Sequence, residues 1–300
     1  MEEAAQRAFF IVNPAAGGGR TRRAWPRLAA RLAARGVAFD AVETTGPGSG
    51  IGLARRAVQR GWPLVVAVGG DGTLNEVVNG LADAAGNFGA ALGAVLTGRG
   101  CDACRNLALP GDPLAALERV LGGGETRVDA GAVEWEDGRR RYFVNAAGVG
   151  FDAVVARRAA SWRLRGTLPY LAAVAAAIWT HRPVRGVIET NGRTLWSGRL
   201  TAAIVANGAH YGGGMKIAPG ADPGDGLLDL VVLGDLGRLE LLRWLPTVYS
   251  GGHLANPKVS TRREPALVIR ANAPVHVDGE AAGEAPVRIS VRPGALRLRR

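Results

Sequence analysis

The sequence predicts an α/β protein in which a parallel-sheet domain is followed by a mostly antiparallel, β-rich domain. Two observations lead to this prediction. In the first half, apolar β-prone runs alternate with amphipathic helical segments, a pattern typical of a parallel sheet with crossover helices. In the second half, short β-prone runs follow one another with turn residues between them, which favours antiparallel pairing. We place the boundary in a glycine-rich turn and predict domains at residues 1–127 and 128–300.

Each element of the first domain is predicted from a local pattern. Strands are expected where apolar runs are short and β-prone, at residues 9–12, 37–42, 63–68 and 90–96. Helices are expected where apolar residues recur every three or four positions, at residues 24–35, 51–60 and from 74 onwards. Thr73 followed by Glu76 has the spacing of a capping box, so we expect Thr73 to cap the third helix.

The second domain is predicted from β-prone runs and two helical insertions. The runs lie at residues 141–145, 187–190, 201–206, 227–233, 266–269, 275–277 and 287–291. The insertions are expected at 168–179 and near 239–249, where the apolar spacing becomes helical.

Composition excludes several classes of protein. The 300 residues are 47% hydrophobic, which is enough for a large core, and they carry a net charge of +11. Glu2 and Glu3 give no sign of a secretory signal, and the longest uncharged apolar stretch, 166–180, is shorter than the ~20 residues of a spanning helix. Two cysteines cannot form a disulfide scaffold. We therefore expect a cytoplasmic protein.

The positive charge is concentrated in the second half of the chain. Residues 1–130 contain 14 basic and 12 acidic side chains, whereas residues 131–300 contain 23 and 14. Such a surface attracts polyanions, which include nucleic acid, anionic membranes and phosphorylated ligands. Only Lys216 and Lys258 are lysines, so phosphate binding would rest on backbone N–H groups, Mg²⁺ and arginine.

The strongest site signal is the loop Gly69-Gly70-Asp71-Gly72-Thr73, between a predicted buried strand and an amphipathic helix. Glycines let the backbone approach a ligand closely, and the N-terminus of the following helix favours a phosphate. A carboxylate beside phosphates needs a bridging cation, so Asp71 is a candidate for linkage to Mg²⁺. A tight turn is the alternative. The loop at 13–20 also follows a strand, but taken alone it favours a flexible turn over a ligand loop.

Five segments spread along nearly the whole chain are informative when taken together. They are VNPAAGGGR (12–20), GGDGTLNEVVNGL (69–81), VNAAGVGFDA (144–153), ANGAHYGGGMKIAPGADPGDGLLDLVVL (206–233) and VDGEAAGEAP (277–286). These segments resemble the diacylglycerol kinase catalytic-domain family, bacterial lipid kinases that are related to sphingosine and ceramide kinases and, more distantly, to NAD kinases. The resemblance implies an NAD kinase-like first domain and ATP in a cleft between the two domains.

The resemblance also implies roles for particular residues. The nucleotide contacts would be Asn13, Pro14, Ala15, Ala16, Gly17, Thr44, Gly69, Gly70, Asp71, Gly72, Thr73, Leu74, Asn75, Glu76 and Arg99. Asp71 would organise the Mg²⁺–phosphate network, and Glu280 would be the general base that takes the proton from a lipid hydroxyl. A structural Mg²⁺ loop would use Asp222, Asp225 and Leu227. From the residues alone, 278–280 equally predicts a β-hairpin turn, and 222–227 equally predicts a solvated turn.

The loop after the fourth strand departs from the family pattern P-x-G-T-x-N-D. Here the proline is Leu96, the threonine is Arg99 and the asparagine is Cys101, while Asp102 and Arg105 remain. Arg99 could hold a phosphate through two hydrogen bonds or fill the ATP site. The usual Ser/Thr of the first loop is replaced by Ala16. These changes favour, as the alternative function, a non-catalytic or altered-specificity member that binds nucleotide or lipid.

Two further patterns have more than one interpretation. Cys101 and Cys104 form a C-x-x-C, which suits a redox pair, half a zinc site or two reduced thiols. Apolar residues between Trp162 and Trp179, flanked by arginines, suggest a membrane-facing amphipathic region or a packed helix with solvated arginines.

Taken together, the sequence predicts ATP- and Mg²⁺-dependent phosphorylation of a diacylglycerol-like lipid hydroxyl. A soluble-metabolite kinase similar to NAD kinase is a third hypothesis, and the second-half segments favour the lipid kinases over it. Expected partners are a lipid substrate and an anionic membrane surface, which places a cytoplasmic protein peripherally on a membrane. Nucleic acid is not expected, because neither an RNP-like nor a helix-turn-helix pattern is present. A homodimer is left open.

Overall fold

The computed structural model describes residues 7–98, 101–161 and 167–300. The chain divides into two compact units. The first comprises residues up to Val128 together with Gly294–Arg300, and the second comprises Asp129–Pro293. The predicted boundary after residue 127 lies beside this division, while the last seven residues belong to the first unit.

The first unit is built on a parallel sheet, as the sequence predicts. Its strands are β1 (Arg7–Val12), β2 (Ala38–Glu43), β3 (Leu64–Gly69) and β4 (Ala91–Leu96), in the order β2-β1-β3-β4. The end of the last strand of the chain adds a further parallel pairing through Leu298 and Leu92. Strands β3 and β4 are buried along their whole length, which explains their uninterrupted apolar sequences.

Helices cover this sheet and complete the apolar core of the first unit. They are α1 (Ala16–Ala34), α2 (Ser49–Gln59), α3 (Asp71–Leu81), α4 (Asp102–Asn106) and α5 (Pro113–Gly122). The sequence predicts the first helix from residue 24, whereas α1 begins at Ala16. The difference arises at Gly17–Gly19, where three successive positive φ angles interrupt the regular helix.

The second unit is mostly antiparallel, again as predicted. Its strands are β5 (Glu125–Trp135), β6 (Arg140–Phe143), β7 (Ala146–Gly150), β8 (Val184–Thr190), β9 (Arg193–Leu200), β10 (Ala202–Ala206), β11 (Leu228–Leu233), β12 (Val259–Glu264), β13 (Ala266–Ala271), β14 (Pro274–Val277), β15 (Glu280–Glu284) and β16 (Val287–Arg299). Of these, β5 begins and β16 ends within the first unit. One sheet has the order β12-β11-β10-β7-β14-β15, and β16, β13, β8 and β9 pair side by side in another. Apolar side chains of both sheets form one core.

A group of helices packs on the other face of the first of these sheets. We call it the helical cap: α6 (Phe151–Ser161), α7 (Thr167–Thr180), α8 (Arg238–Trp244) and the 3-10 helices Leu245–Tyr249 and Gly252–Ala255. Phe151, Ile178 and Leu241 of the cap pack against Ile204 and Val231 of the sheet. The predicted insertions at 168–179 and 239–249 both lie in the cap, whereas α6 was missed. Within the described part of the chain, none of the helices combines the length and apolarity needed to span a bilayer.

Candidate active site

The two glycine-containing loops of the first unit are hydrogen-bonded to each other. Asn13 follows β1 directly, and its N–H donates to the Val68 carbonyl on β3 over 2.8 Å. Its side-chain Nδ2 donates to Thr73 Oγ1 over 2.9 Å, and its Oδ1 accepts the Ala15 N–H over 3.1 Å. Thr44 lies beside them, since its N–H donates to the Val12 carbonyl. The structure therefore brings the predicted nucleotide-binding segments together at one sheet edge.

The predicted capping box at Thr73 and Glu76 is wrong. Helix α3 begins at Asp71, its N-cap is Gly70, and no side chain caps it. Thr73 is buried and bonds to Asn13. Glu76 instead accepts the N–H groups of Gly48 and Gly50, over 2.7 and 2.8 Å, and so anchors the start of α2. The free N–H groups of a neighbouring helix compete successfully for its carboxylate.

Gly69 allows helix α3 to pack closely on the end of β3. A Cβ at this position would lie 2.4 Å from Thr73 Oγ1, which no real Cβ tolerates. Packing alone therefore requires a glycine at position 69, whether or not a ligand binds there. Leu74 and Asn75 are almost fully buried, so of the predicted nucleotide contacts these two have side chains that belong to the core.

The carboxylate of Asp71 is tied to the start of α4. It accepts the Ala103 N–H over 3.0 Å and, more weakly, the Asp102 N–H over 3.4 Å. Asp102 itself is buried and pairs with Arg105 over 3.1 Å. Arg99, predicted to contact phosphate, lies outside the described residues. The link between Asp71 and Mg²⁺ stays a prediction.

The predicted base, Glu280, follows a two-residue hairpin turn between β14 and β15. Asp278 and Gly279 have φ angles of 46° and 81°, the positive values that a type I′ turn requires. The side chain of Glu280 is 43% exposed and forms an ion pair with Arg141 of β6. The turn and the accessible carboxylate are thus compatible, and the assignment of Glu280 as a base stays a prediction.

Asp278 ties this turn to the neighbouring chain segment 144–146. Its carboxylate accepts three backbone N–H groups: Val144 over 3.0 Å, Asn145 over 2.9 Å and Ala146 over 3.1 Å. Its own N–H donates to the Ala146 carbonyl. Charge-assisted hydrogen bonds of this kind are about twice as strong as neutral ones. The turn that carries Glu280 is therefore rigidly held.

In the loop predicted to hold Mg²⁺, Asp225 is already paired with a positively charged side chain. Asp225 forms an ion pair with Arg263, whose Nε also lies 3.6 Å from Asp229, opposite it across the β11–β12 ladder. Asp222 accepts the N–H of Gly224. Among the described residues, no three His, Cys, Asp or Glu side chains gather as metal ligands. An ion at Asp225 would have to displace Arg263, and the site at Asp222, Asp225 and Leu227 stays a prediction.

Comparison with known proteins decides the family. Residues 7–133 match the model of the diacylglycerol kinase catalytic domain, and residues 145–300 match that of the YegS C-terminal NAD kinase beta sandwich-like domain. A diacylglycerol kinase from Mycobacterium tuberculosis (strain H37Rv) is 34% identical over 297 residues, which cover 97% of this chain and 94% of that protein. The chain belongs to the diacylglycerol kinase family.

Solved structures share the fold of this lipid kinase family. A diacylglycerol kinase from Bacillus anthracis superposes with a TM-score of 0.77 at 21% identity, covering 99% of this chain and 98% of that one. An NAD kinase from Archaeoglobus fulgidus, solved in complex with ATP, gives a TM-score of 0.56 at 13% identity, covering 98% and 93%. The expected combination of an NAD kinase-like parallel-sheet domain with a β-rich second domain is confirmed.

The two cysteines mark the place where this chain departs from the family pattern. Cys101 is the N-cap of α4, and its Sγ accepts the Cys104 N–H over 3.1 Å. A hydrogen bond between the two thiol groups, together with burial, raises the pKa of the Cys101 thiol. The same hydrogen bond lowers the pKa of the Cys104 thiol, which is half-buried. Cys104 is therefore the better nucleophile of the pair.

Oxidation by a small-molecule disulfide is expected to join these cysteines. The Cys104 thiolate attacks the reagent and expels one thiolate, and Cys101 then displaces the second as it loses its proton. Because the Cys101 thiol also lies 3.5 Å from Asp71 Oδ1, closing this bond should weaken ATP binding. Thermal-shift titration with ATP before and after oxidation measures the effect. If Cys101→Ser leaves the oxidant sensitivity of nucleotide binding unchanged, the redox hypothesis is wrong.

An apolar cavity in the second unit lies between the helical cap and the sheet. Two adjoining parts have empty volumes of about 650 and 820 Å³, counting space open to solvent. Both parts are lined by Phe151, Asp152, Tyr211, Met215 and Leu245. Burial lowers the pKa of His253 in the wall, which favours its neutral form. A mostly apolar lining with a few polar groups is typical of small-molecule sites.

Several of the residues just described could not be identified from the sequence. No local pattern marks Arg141 as part of a site, because an arginine on a β-prone run predicts only a solvated side chain. Asp152 lies in a segment that resembles the family, but nothing in its neighbourhood shows that it is buried. The hydrogen-bond partner of Asn13 is 60 residues away. Only the folded chain brings these groups together.

Proposed function

We propose that the protein transfers the γ-phosphate of ATP to a hydroxyl group of a diacylglycerol-like lipid. The observation that supports this most directly is the apolar cavity beneath the helical cap, in a chain that belongs to a family of lipid kinases. A cavity with this apolar lining suits the acyl chains of a lipid better than a soluble, charged metabolite such as NAD.

The nucleotide is proposed to bind at the sheet edge formed by Asn13 and the loop Gly69–Thr73. There the backbone N–H groups at the start of α3 and the glycines after β1 can approach phosphate oxygens. Mg²⁺ is proposed to enter with ATP, as part of the Mg·ATP substrate, rather than as a resident ion. Its charge would then offset the carboxylate of Asp71 beside the phosphates.

Glu280 is proposed to act as the general base. It accepts the proton of the lipid hydroxyl as that oxygen attacks the γ-phosphorus, while the bond to the β-phosphate oxygen breaks and ADP leaves. Its exposure and its place on a rigid turn support this role.

A lipid-kinase assay tests the proposal. Purified protein with Mg·ATP is offered a short-chain diacylglycerol, a sphingoid base and NAD in parallel. We expect phosphate transfer to the diacylglycerol and not to NAD. Transfer to NAD would support a metabolite kinase. If ATP raises the thermal midpoint of the protein but no lipid is phosphorylated, the result supports the alternative of a non-catalytic, nucleotide-binding member. The changed loop at 99–101 would then be the first segment to mutate.

The helical cap is proposed to contact an anionic membrane. Four large apolar side chains on it are exposed, which we call the apolar rim: Trp179 (60%), Leu239 (79%), Leu242 (44%) and Tyr249 (51%). Arg238 lies over the Trp179 ring, and Tyr249 also lines the cavity. Exposed apolar groups beside arginines suit the interface of an anionic bilayer. Trp162, part of the predicted membrane-facing region, lies outside the described residues.

Leu239→Glu is expected to weaken binding to phosphatidylglycerol-containing vesicles about tenfold. The change removes one inserted leucine side chain and adds a charge that the lipid headgroups repel. Cosedimentation with vesicles measures it. Val42→Glu is the control, because Val42 is an exposed apolar residue of the first unit. Equal loss in both variants, or a dimer that Leu239→Glu dissociates, would contradict a membrane-facing rim.

A further inference from the structure

A buried polar cluster lies directly behind the turn that carries Glu280. His276, on β14, is fully buried, and its Nε2 lies 2.8 Å from Asp152 Oδ2 on α6. On the other edge of the ring, the Gly279 N–H lies 3.2 Å from Nδ1 and donates to it. Because Nδ1 is the acceptor, the ring proton lies on Nε2 and is donated to Asp152. The imidazole thus connects the helical cap to the turn.

The surroundings keep this cluster in one arrangement. The ring of Tyr211 stacks on His276, with centroids 5.1 Å apart and planes 8° from parallel. At Gly148 of β7, a Cβ would lie 1.7 Å from Asp152 Oδ2 and 2.5 Å from His276 Nε2, so only glycine fits there. A volume-matched apolar pair is often as stable as a buried polar pair. Packing alone therefore gives no reason for an imidazole and a carboxylate at this place.

The cluster connects two features of the proposed site. Asp152 lines both parts of the apolar cavity, and it is the only carboxylate among the described residues that line them. Gly279 is the residue immediately before Glu280. A chain of two side-chain hydrogen bonds therefore runs from the cavity wall to the backbone that directs the predicted base.

We propose that Asp152 and His276 are positioning residues, which hold the Gly279 N–H and thereby fix the direction of Glu280 relative to the cavity wall. The inference rests on the proposed role of Glu280. Asp278 anchors one side of the turn through Val144, Asn145 and Ala146, and His276 anchors the other. Phosphoryl transfer depends on alignment of the base and the hydroxyl, and a misplacement of about 1 Å can cost ~100-fold in rate.

Two substitutions of similar structural cost separate positioning from packing. In His276→Asn, the amide oxygen can take the place of Nδ1 and still accept the Gly279 N–H. In His276→Gln, the longer side chain reaches Asp152 but leaves Gly279 without that acceptor. Both variants lose the ring that stacks on Tyr211. We expect kcat to fall by less than about fivefold in His276→Asn and by about 10- to 100-fold in His276→Gln, with the lipid KM within about twofold in both.

Amide hydrogen exchange gives a second readout that does not depend on activity. The Gly279 N–H should be protected in the wild type and in His276→Asn and should exchange faster in His276→Gln. The ¹⁵N shifts of the wild-type imidazole should show an unprotonated Nδ1, a check that holds even if a variant does not fold.

The outcomes distinguish this inference from the proposed function. If the wild type phosphorylates no lipid, the proposed function fails, while exchange at Gly279 still decides whether His276 holds the turn. If the wild type is active but both variants lose kcat equally, or His276→Gln keeps both its kcat and its Gly279 protection, the positioning role is wrong.

Discussion

Replacing Glu280 by glutamine is expected to lower the rate of phosphate transfer by about 10²–10³-fold without unfolding the protein. A general base contributes roughly this much, and an amide of the same shape cannot accept the proton. The side chain is 43% exposed and forms an ion pair with Arg141, so loss of its charge should barely change stability. Initial rates at saturating Mg·ATP and lipid, together with a thermal melt, measure both effects.

Glu284→Gln is the matched control for this prediction. Glu284 lies on the same strand, is similarly exposed and pairs with an arginine, Arg157, over 3.3 Å. Since no catalytic role is proposed for it, its rate should match the wild type. If Glu280→Gln retains robust turnover, or if both variants lose activity equally, Glu280 is not the base.

Asp278→Asn is expected to lower the free energy of unfolding of the second unit by about 3 kcal/mol. The amide has the same shape and tolerates the positive φ of this turn, but its NH₂ group cannot accept hydrogen bonds. At least one of the three N–H groups now bound by the carboxylate would then lose its acceptor. For a unit of this size, we expect the thermal midpoint to fall by roughly 6–12 °C.

Asp137→Asn provides the comparison for this change. Asp137 also lies in a turn, between β5 and β6, and accepts the Arg139 N–H over 3.0 Å. Its carboxylate is exposed to water, which can replace a lost bond, so its midpoint should not change measurably. Chemical denaturation of both variants decides the matter. If Asp278→Asn is as stable as Asp137→Asn, the three hydrogen bonds do not anchor the turn.

Local sequence chemistry accounts for much of the fold and part of the site. The runs at 63–68 and 90–96 are apolar along their whole length, and both become strands buried on two faces. The Asp278-Gly279 pair predicts a tight hairpin turn, and both residues adopt the positive φ that such a turn needs. These features follow from residues close together in the chain, so a single sequence is enough to predict them.

Predictions based on short spacing fail where a distant group offers a better partner. Thr73 and Glu76 have the spacing of a capping box, yet Glu76 accepts the N–H groups of Gly48 and Gly50 from another helix start. The local pattern correctly identifies a polar group but not the partner to which it bonds. Asp225 of the acidic loop at 222–227 likewise pairs with Arg263 from the neighbouring strand, a contact that no local pattern indicates, and the metal site of that loop stays a prediction.

The sequence by itself determined the α/β class, the family resemblance, the position of the glycine-rich loop after β3 and the turn before Glu280. The tertiary structure alone decided which side chains meet. His276 and Asp152 are 124 residues apart, and only the packing of α6 on the sheet places one imidazole between a cavity wall and the turn. The physical reason is that backbone conformation depends largely on neighbouring residues, whereas the partner of a buried polar group depends on whatever the fold brings within hydrogen-bonding distance.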